Sequence, residues 1–589
     1  MIVPMKKITI LTQGKDADPA LRGLRSLGLV HVESQQLPKA KSISEIQEDI
    51  SHISEALDIL NKHEPEGKSG AEAAKEGCDW KLTAKQIIDL HKRLDQLREY
   101  SKIMDQNISE WQGWGDFDPD ALRLLAEKSI HLRLYRIPEK ELKNIPEGLI
   151  LEKLSGEKGM VNCAIISRKR LEIPFKELSL PKMSLSKMKQ RAAEDTRMID
   201  VVIKDIQKFI PCRKQLFQSK LELEKELEFQ EVLYGMGRER NLAYLQGYIP
   251  ADGVETILNT ANKEKWGVLT QEPQETDDVP TLIRNPRWIS LINPVFKLLE
   301  IIPGYRELDI SLFFLIFFSI FFGILIGDAG YGLIYLLLAF FAHKKMRGKI
   351  KDSTVFFTFY LLSSCAIVWG LLTGSFFGQE WFARTGLKPL LPALNDAKFM
   401  QAFCFFLGAL HLSLAHSWRA LLKLPSLTAL ADIGWICVLW SAFFFAKMLI
   451  LGDALPGFAK WILFSGMGLV ILFTNPQRNI FKGIGEGLGT LALSLMNNFT
   501  DVVSYVRLFA VGMAGMAIAQ TCNSMSASVN TGGLLFLAAS VAVLVIGHAL
   551  NIILGPMSVL VHGVRLNVLE FSGHASLTWS GRAYKPLKQ

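Results

Sequence analysis

The sequence has few cysteines, and none of their spacings is typical of a metal site or a disulfide framework. The 589 residues include seven cysteines, and no two of them form a C-x-x-C pair. Four of them, Cys365, Cys404, Cys437 and Cys522, lie in apolar runs. Structural zinc sites and small disulfide-rich domains need cysteines at short, regular spacings. We therefore expect no metal site and no cofactor, and we expect the cysteines to be reduced, buried thiols.

A nucleotide-binding loop is also missing. Gly67-Lys68-Ser69 resembles the end of a phosphate-binding loop, but the residue five positions before Gly67 is Lys62 instead of glycine. No predicted strand precedes this segment, and the phosphate-binding loop needs both the strand and the glycine. We therefore do not expect the chain to hydrolyse ATP by itself, which leaves open a non-catalytic role in an enzyme complex.

No strongly basic face for nucleic acid is evident. The net charge is +8, from 66 Lys and Arg against 58 Asp and Glu. The first half mixes both signs, as in KLELEKELEFQE, whereas the basic clusters flank apolar runs. A nucleic-acid-binding protein usually concentrates its basic residues in one patch. This distribution favours a lipid bilayer over a nucleic-acid partner.

Charged residues are absent from long parts of the second half. The ranges 353–379, 399–418, 433–446 and 461–477 contain no Asp, Glu, Lys or Arg. The mean hydropathy of the whole chain is +0.20. A bilayer span needs about 20 predominantly apolar residues. We predict an α-helical membrane protein with about eight transmembrane helices, in the stretches 310–326, 333–342, 353–379, 399–418, 433–446, 461–477, 484–526 and 532–568.

The basic residues between these stretches predict their orientation. Clusters follow the second, fourth, sixth and eighth spans, and cytoplasmic loops are enriched in Lys and Arg. The N-terminus, MIVPMKKITI, does not have the pattern of a secretory signal. We therefore expect the first half and the C-terminus to be cytoplasmic. The clusters contain Lys344, Lys345, Arg347, Lys349 and Lys351; Arg419 and Lys423; Arg478 and Lys482; and Arg582, Lys585 and Lys588. Arg384 and Lys388, after the third span, fit this rule less well.

The first half has the pattern of two small α/β lobes joined by long helices. Short alternating runs near both ends of this half and around 130–180 predict strands. Apolar residues at three- and four-residue steps in 42–62, 83–112 and 184–240 predict an antiparallel coiled coil. We predict a dumbbell at 1–285: a proximal lobe (1–40 and 241–285), a shaft (41–128 and 184–240) and a distal lobe (129–183). A linker at 286–309 then leads into a membrane domain at 310–589.

Charges inside the last two spans are the most informative feature. Asp501 and Arg507 lie in NNFTDVVSYVRLFAVGMAGM, and Arg565 lies in VLVHGVRLNVLEF. An arginine at mid-bilayer costs at least about 2.5–3.5 kcal/mol, which makes function the default hypothesis. Counted from a turn at Thr531-Gly532-Gly533, the two arginines differ in height by roughly 10 Å. A tilt of the helices can remove this difference, so the two arginines can share one polar face. Alternatively, Arg507 pairs with Asp501 for packing and Arg565 extends to the interface.

At these residues the sequence resembles subunit a, also called subunit I, of the prokaryotic V/A-type rotary ATPases. The segments SYVRLFAVGMA, VHGVRLNVLEF and FFGILIGDAGYG are similar to the seventh, eighth and first membrane helices of the family. VPTLIRNP, IIPGYRELD, LQGYIP and the N-terminal MIVPMKKITIL resemble its soluble and linker motifs. The resemblance extends over the whole chain in order, except that the end, SGHASLTWSGRAYKP, lacks a glycine-rich tail.

The resemblance implies a stator in a prokaryotic inner (plasma) membrane that forms two ion half-channels against a rotor ring of small membrane subunits, each with one carboxylate. It also implies binding to peripheral stalks and an indirect link to the catalytic ATPase sector. Arg507 would be the essential arginine and Arg565 its companion. Further half-channel candidates are polar residues of the membrane domain: Asp501, Ser504, Glu486, His562, Glu570 and Asp328, with Asn497, Asn498, His548 and Asn551. Proton or sodium as the ion, and synthesis or hydrolysis as the direction, stay open.

Two other functions are compatible with a polytopic membrane protein. A secondary transporter would need a central substrate site, often formed by broken helices in repeated halves, and the sequence contains no such repeat. A structural membrane anchor would leave Arg507 and Arg565 without a role.

Overall fold

The computed structural model describes residues 1–33, 35–38, 40–64, 78–144, 149–157, 159–168, 174–347, 353–379, 389–476, 480–529 and 533–588. The chain forms two compact units. The N-terminal unit contains Thr12–Ser26 and Ser34–Leu245. The C-terminal unit contains Met1–Leu11, Leu27–Glu33 and Gln246–Lys588.

The elements before the apolar helices alternate between short strands and longer helices. In chain order they are β1 (Met5–Gln13), α1 (Ala17–Leu27), β2 (His31–Glu33), α2 (Lys41–Lys62), α3 (Trp80–Trp111), α4 (Pro119–Glu127), β3 (His131–Pro138), β4 (Ile150–Glu157), β5 (Met160–Ser167), β6 (Glu177–Leu178), α5 (Leu185–Gln207), α6 (Arg213–Gly235), β7 (Gly237–Glu239), β8 (Leu242–Pro250), α7 (Val254–Glu264), β9 (Gly267–Gln271) and α8 (Asn293–Leu299).

Four long helices form the apolar core of the N-terminal unit. Helix α3 packs along α5 and α2, and α2 packs along α6. Their buried residues include Ile53, Leu60, Ile87 and Ile206. The helical pattern predicted over 184–240 is two helices, because the chain turns at Ile210-Pro211-Cys212 and proline cannot supply the amide hydrogen that a continuing helix needs. A supercoiled shaft stays a prediction.

The described strands form two antiparallel sheets. The first has the strand order β4-β5-β3-β6 and belongs to the N-terminal unit. The second has the order β2-β8-β1-β9, with β7 paired to the start of β8. In the C-terminal unit the C-terminal segment contacts this second sheet, because Lys585 donates its N–H to Nδ1 of His31 in β2. Leu587 also donates its N–H to the carbonyl of Val30, just before β2.

The cysteine prediction is wrong for one pair. Cys78, just before α3, forms a disulfide with Cys212, just before α6, and their Cα atoms lie 6.5 Å apart. The other five cysteines are free thiols, buried or partly buried. The two bonded residues are 134 positions apart in sequence, so only the packing of the helices brings them together.

The described residues that follow α8 in the C-terminal unit form ten further α-helices. They are α9 (Ser311–Ile326), α10 (Ala329–Met346), α11 (Thr354–Thr373), α12 (Ala397–Lys423), α13 (Ala429–Ala446), α14 (Gly457–Phe473), α15 (Ile480–Ser504), α16 (Val506–Val529), α17 (Leu534–Ser558) and the short α18 (Ser572–His574).

All eight predicted apolar stretches are largely helical where the structure describes them, and in the described ranges five helical regions are long and apolar enough to cross a membrane. These five are Thr354–Thr373, Ala397–Lys423, Ala429–Leu451, Ile484–Val529 and Leu534–His574. Ser311–Ile326 and Gly457–Phe473 are shorter apolar helices. The chain is therefore mostly helical, and the number of eight spans stays a prediction. Several residues used above lie outside the described ranges: Gly67-Lys68-Ser69, Lys349, Lys351, Arg384, Lys388, Arg478 and Thr531-Gly532.

Helix α9 lies in the centre of the main apolar core. Phe314, Phe317, Phe318 and Phe321 are all at most 4% exposed, as expected for a helix that is apolar on every face. Helix α16 packs closely against α9: a Cβ added at Gly512 would lie 2.8 Å from the carbonyl oxygen of Ile324. This close packing positions the start of α16, where Arg507 lies.

Candidate functional site

Irregular helical backbone lies next to both Arg507 and Arg565. Tyr505 separates α15 from α16, two residues before Arg507. Arg565 lies between two π-helical segments, Val559–Gly563 and Leu566–Phe571. Such π segments within α-helices are rare and frequently mark functional sites. The sequence did not predict them, because apolar residues fit an α-helix and a π-helix equally well.

One carboxylate joins the two arginines. Nη2 of Arg507 lies 2.9 Å from Oε1 of Glu570, and Nε of Arg565 lies 3.6 Å from the same oxygen. The side chain of Glu570 is only 6% exposed. Its second oxygen, Oε2, is buried and has no hydrogen-bond partner among the described residues. Two positive charges against one negative charge leave the cluster with a net charge of +1.

Arg565 interrupts an apolar exposed face. Its side chain is 54% exposed, and its neighbours at four-residue steps, Met557, Val561 and Leu569, are 55%, 57% and 59% exposed. Residues four apart lie on one side of a helix. The excess positive charge is therefore presented on an otherwise apolar surface.

A row of hydrogen-bonded side chains begins at Asp501. Oδ2 of Asp501 lies 3.1 Å from Nε2 of His574, and Nδ1 of His574 lies 2.9 Å from Nε2 of His416. Nδ1 of His416 lies 3.1 Å from Oδ1 of Asp432. We call Asp501, His574, His416 and Asp432 the histidine chain. It links α15, the C-terminal segment, α12 and α13.

Two cations lie at the Asp432 end of the histidine chain. Nζ of Lys423 is 2.7 Å from Oδ2 of Asp432, and Nη2 of Arg419 is 3.5 Å from Oδ1. Arg419 also donates a hydrogen bond to the carbonyl of His574. Asp432 is 1% exposed, and a buried carboxylate is stable only when it is paired in this way.

The histidine chain borders a cavity of about 450 Å³. Most of its lining is polar and comes from α12, α13, α15 and the C-terminal segment. The lining includes Asn497 and Asn498, which the sequence had suggested as half-channel residues. The side chain of Asp501 is 29% exposed, so this end of the histidine chain reaches solvent, whereas His574, His416 and Asp432 are buried. Lys423, which contacts Asp432, is 36% exposed.

The helix break at Tyr505 is fixed by buried contacts. The hydroxyl of Tyr505 lies 2.8 Å from Nδ1 of His411, and both residues are fully buried. The His411 ring is stacked between Phe317 and Phe571, with ring centroids 3.8 Å and 4.2 Å away. A Cβ at Gly408 would lie 2.7 Å from the Tyr505 ring. The break preceding Arg507 is therefore tightly packed.

A second polar group lies farther along α16. The hydroxyl of Tyr331 is 2.7 Å from Nδ1 of His548 and accepts a hydrogen bond from Asn551. Nε2 of His548 lies 3.1 Å from Oδ1 of Asn523. Asn523 follows Arg507 by 16 residues, about 24 Å along the helix. The histidine chain and this group therefore lie on opposite sides of Arg507.

The remaining predicted residues lie in separate places. Ser504 donates its hydroxyl hydrogen to the carbonyl of Asp501, and its own carbonyl accepts from Nε of Arg507. His562 is partly buried and precedes Arg565 in the sequence, and its Nδ1 has no hydrogen-bond partner among the described residues. Glu486 accepts a hydrogen bond from Asn475 and lies 21 residues before Arg507, so it is not part of the arginine cluster.

Asp328 has a clear structural role. Its carboxylate caps α10 by accepting from the N–H groups of Gly330 and Tyr331. It also accepts from the N–H groups of Phe377 and Gly378 and from the hydroxyl of Ser375. These five donors fix the chain after α11 against the start of α10. The GDAGYG segment therefore forms a capped turn between two helices.

One predicted pair is absent. The alternative interpretation paired Arg507 with Asp501, but Arg507 contacts Glu570 and Asp501 contacts His574. Residues three or four positions apart face each other on a helix, and residues six apart do not. The break at Tyr505 does not restore the contact.

Sequence reasoning missed His416, His574 and Asp432. His411 and His416 are the two ionisable residues of an otherwise charge-free apolar stretch, and Asp432 directly precedes another. That pattern was a usable signal. No group of three or more His, Cys, Asp or Glu residues suited to a metal ion occurs in the described part of the chain.

Comparison with known proteins assigns the family. The chain is 31% identical over 628 residues to V-type ATP synthase subunit I 1 of Treponema pallidum, and the alignment covers 100% of both chains. The chain belongs to the V-type ATP synthase subunit I family. It is also 29% identical over 619 residues to V-type ATP synthase subunit I of Borreliella burgdorferi, again with 100% of both chains covered. A scan against protein-family models gives no match.

More distant members of the subunit I family include archaeal proteins. A-type ATP synthase subunit I of Methanocaldococcus jannaschii is 24% identical over 399 residues, which cover 60% of this chain and 56% of that protein. A crystal structure of the cytoplasmic N-terminal domain of subunit I, homolog of subunit a, of V-ATPase is 14% identical, with a TM-score of 0.24, over 45% of this chain and 99% of that one. The family assignment therefore stands on the full-length sequence matches.

Proposed function

We propose that this chain is the membrane stator of a rotary V/A-type ATPase, with two ion half-channels that open towards a rotor ring of small subunits, each with one carboxylate. The observation that carries the proposal is the net positive cluster of Arg507, Arg565 and Glu570, with Arg565 on an exposed apolar face. An apolar face with one excess positive charge fits an apolar partner with one negative charge.

The chemistry of the cluster suits ion release. A guanidinium group keeps its proton in proteins, so Arg507 is a permanent positive charge. A positive charge near a carboxylate lowers its pKa. As a ring carboxylate passes Arg507, it would therefore lose its bound proton or sodium ion, and the same charge would block direct ion leakage between the half-channels.

Polar side chains on both sides of Arg507 support two separate half-channels. The cavity at the histidine chain supplies a polar route on one side, with Asp501, Asn497 and Asn498 in its lining. The group around Tyr331, His548 and Asn523 supplies polar side chains on the other side. Ions that enter at one side and leave at the other would have to be carried past Arg507 by the ring.

The proposed orientation places the N-terminal unit and the C-terminus in the cytoplasm of a prokaryotic cell, with the apolar helices in its inner membrane. The basic residues Lys345, Lys423 and Lys482 support this orientation. The N-terminal unit would bind the peripheral stalks and so resist torque, with the catalytic ATPase sector reached through them. Its long packed helices suit a mechanical strut and contain no nucleotide-binding loop.

The cluster argues against the alternatives. A structural anchor has no use for two arginines on one buried carboxylate. A secondary transporter needs a central substrate site between repeated halves, and the polar groups here lie on either side of an arginine instead.

Co-purification tests the proposal. The tagged chain, extracted in mild detergent from the cells that produce it, should bring a ring of small hydrophobic subunits, the stalk subunits and the catalytic subunits. Recovery of the folded chain as an isolated monomer under conditions that preserve other rotary ATPases would contradict the proposal.

A further inference from the structure

The number of hydrogen bonds in the histidine chain determines how many protons the chain must hold. Three hydrogen bonds connect Asp501, His574, His416 and Asp432, and each hydrogen bond needs one hydrogen. An ionised carboxylate has none to donate, and a neutral imidazole has one. Two neutral imidazoles therefore supply two hydrogens for three bonds. When all three bonds are made, the chain holds one proton more than two neutral histidines and two ionised aspartates.

The surrounding charges restrict where this extra proton resides. From α12, Lys423 and Arg419 contact Asp432 and favour its ionised form. The α15 side contributes Asp501, and the C-terminal segment contributes His574. Helix α14 contributes Thr474 to the cavity lining, which has no ionisable group from that helix. Lys423 and Arg419 keep the extra proton off Asp432, so it lies in the part of the histidine chain that leads towards Arg507.

We propose that the histidine chain is a proton relay and that the ion admitted by this half-channel is the proton. This inference rests on the proposed function. A proton taken up at His416 forms one N–H bond there, and each bridging proton shifts to the next acceptor. One proton then leaves from Asp501. Every bond that breaks is matched by one that forms, and no electrons are transferred.

The same geometry disfavours a sodium ion. Within the histidine chain itself, few oxygen ligands are free for a sodium ion, because the contacting oxygens of Asp501 and Asp432 already bind imidazoles. A proton needs no such ligand shell, because it moves within existing hydrogen bonds.

The first experiment needs no substitution. The purified complex is reconstituted into vesicles, and ATP-driven uptake is followed with a pH-sensitive dye and with radioactive sodium. The inference predicts proton uptake in sodium-free buffer, abolished by a protonophore. Sodium uptake that persists with a protonophore would overturn the relay while leaving the stator role intact.

The second experiment tests the residues. His416→Ala and His574→Ala should each lower proton uptake on the order of 100-fold, a typical contribution of a positioned proton-transfer group. Added imidazole should restore part of the rate, because the adjoining cavity of about 450 Å³ can admit it. His343→Ala is the control, since His343 bonds to Tyr360 away from the relay.

The outcomes separate the two proposals. Unchanged proton uptake in assembled His416→Ala and His574→Ala complexes would overturn the relay, and so would a loss that imidazole does not restore in assembled complexes. Uptake that also survives Arg507→Gln would overturn the stator mechanism itself, whichever ion is moved.

Discussion

Arg507 and Glu570 form an ion pair 2.9 Å long between residues 63 positions apart in the sequence. Arg565 shares the same carboxylate oxygen at 3.6 Å. Glu570 therefore holds two guanidinium groups that would otherwise repel each other. The pair defines the position of the fixed charge on which the proposed mechanism depends.

Glu570→Gln should impair ion movement without removing an arginine. The amide cannot neutralise two guanidinium groups, so Arg507 and Arg565 should move apart and Arg507 should lose its fixed position. We expect ATP-driven uptake to fall roughly tenfold or more, which corresponds to about 1.4 kcal/mol in the barrier. Asp453→Asn is the matched control, because Asp453 pairs with Lys447 in a loop away from the cluster. Equal uptake by the two variants would contradict the positioning role of Glu570.

Asp328→Asn should destabilise the protein. The carboxylate of Asp328 accepts five hydrogen bonds on its two oxygens. In asparagine an NH2 group replaces one of these oxygens, so the donors that bond to that oxygen lose their partner. Each buried unsatisfied group costs about 1–3 kcal/mol. We therefore expect a clearly lower thermal unfolding midpoint for the purified chain. Asp396→Asn is the control, since Asp396 caps α12 through one N–H group and asparagine is an equally good cap. Similar midpoints for both variants would count against this role of Asp328.

The contact between the C-terminal segment and the second sheet should weaken in acid. Burial lowers the pKa of His31, and the positive charge of Arg582 lowers it further. An unfolded histidine has a pKa of about 6.5, so the unfolded state binds a proton more readily. The stabilisation is therefore complete above about pH 6.5 and is lost as the pH falls towards the folded pKa.

Hydrogen exchange measures this effect. After correction for intrinsic rates, the amides of Lys585 and Leu587 should exchange faster at about pH 5 than at about pH 8. His31→Gln keeps a hydrogen-bond acceptor opposite the Lys585 N–H and removes the titration. The same pH dependence in this variant would show that another group is responsible.

Cysteine labelling tests the orientation. In a background without native cysteines, single cysteines at Lys345 and Lys482 should resist an impermeant thiol reagent added to intact cells. A cysteine at Ser528, an exposed position near the end of α16, should react. Reaction at position 345 from outside would contradict the proposed arrangement of eight spans.

The sequence was sufficient to select several candidate residues but not to predict the residues that they contact. Arg507, Arg565, Asp501 and Glu570 stand out because charges within apolar helices are costly and rare. Their pairing depends on the break at Tyr505 and the π-helical segments beside Arg565, which follow from packing against α9 and α12. The sequence pattern contains no signal for either irregularity.

Sequence reasoning missed His416 and His574 for the same reason, because their contacts join residues that are far apart in the sequence. His416 and His574 are 158 positions apart, so the sequence does not show that these two histidines are hydrogen-bonded to each other. The long helices and most strands followed from periodicity. Pro211 could have divided the stretch 184–240 into two helices, because a proline inside a helix removes a backbone hydrogen bond and kinks or breaks the helix.

The central claim is that Arg507 is a fixed positive charge required for ion transfer, and one measurement tests it most directly. Complexes with Arg507→Gln are purified, checked for full subunit content and reconstituted into vesicles, and ATP-driven proton and sodium uptake is measured on the same preparation. The account predicts an assembled complex with no uptake above passive leak. Arg507→Lys should also largely fail, because an ammonium group is more strongly hydrated and can lose its proton when buried. Normal uptake by the assembled Arg507→Gln complex would contradict the account.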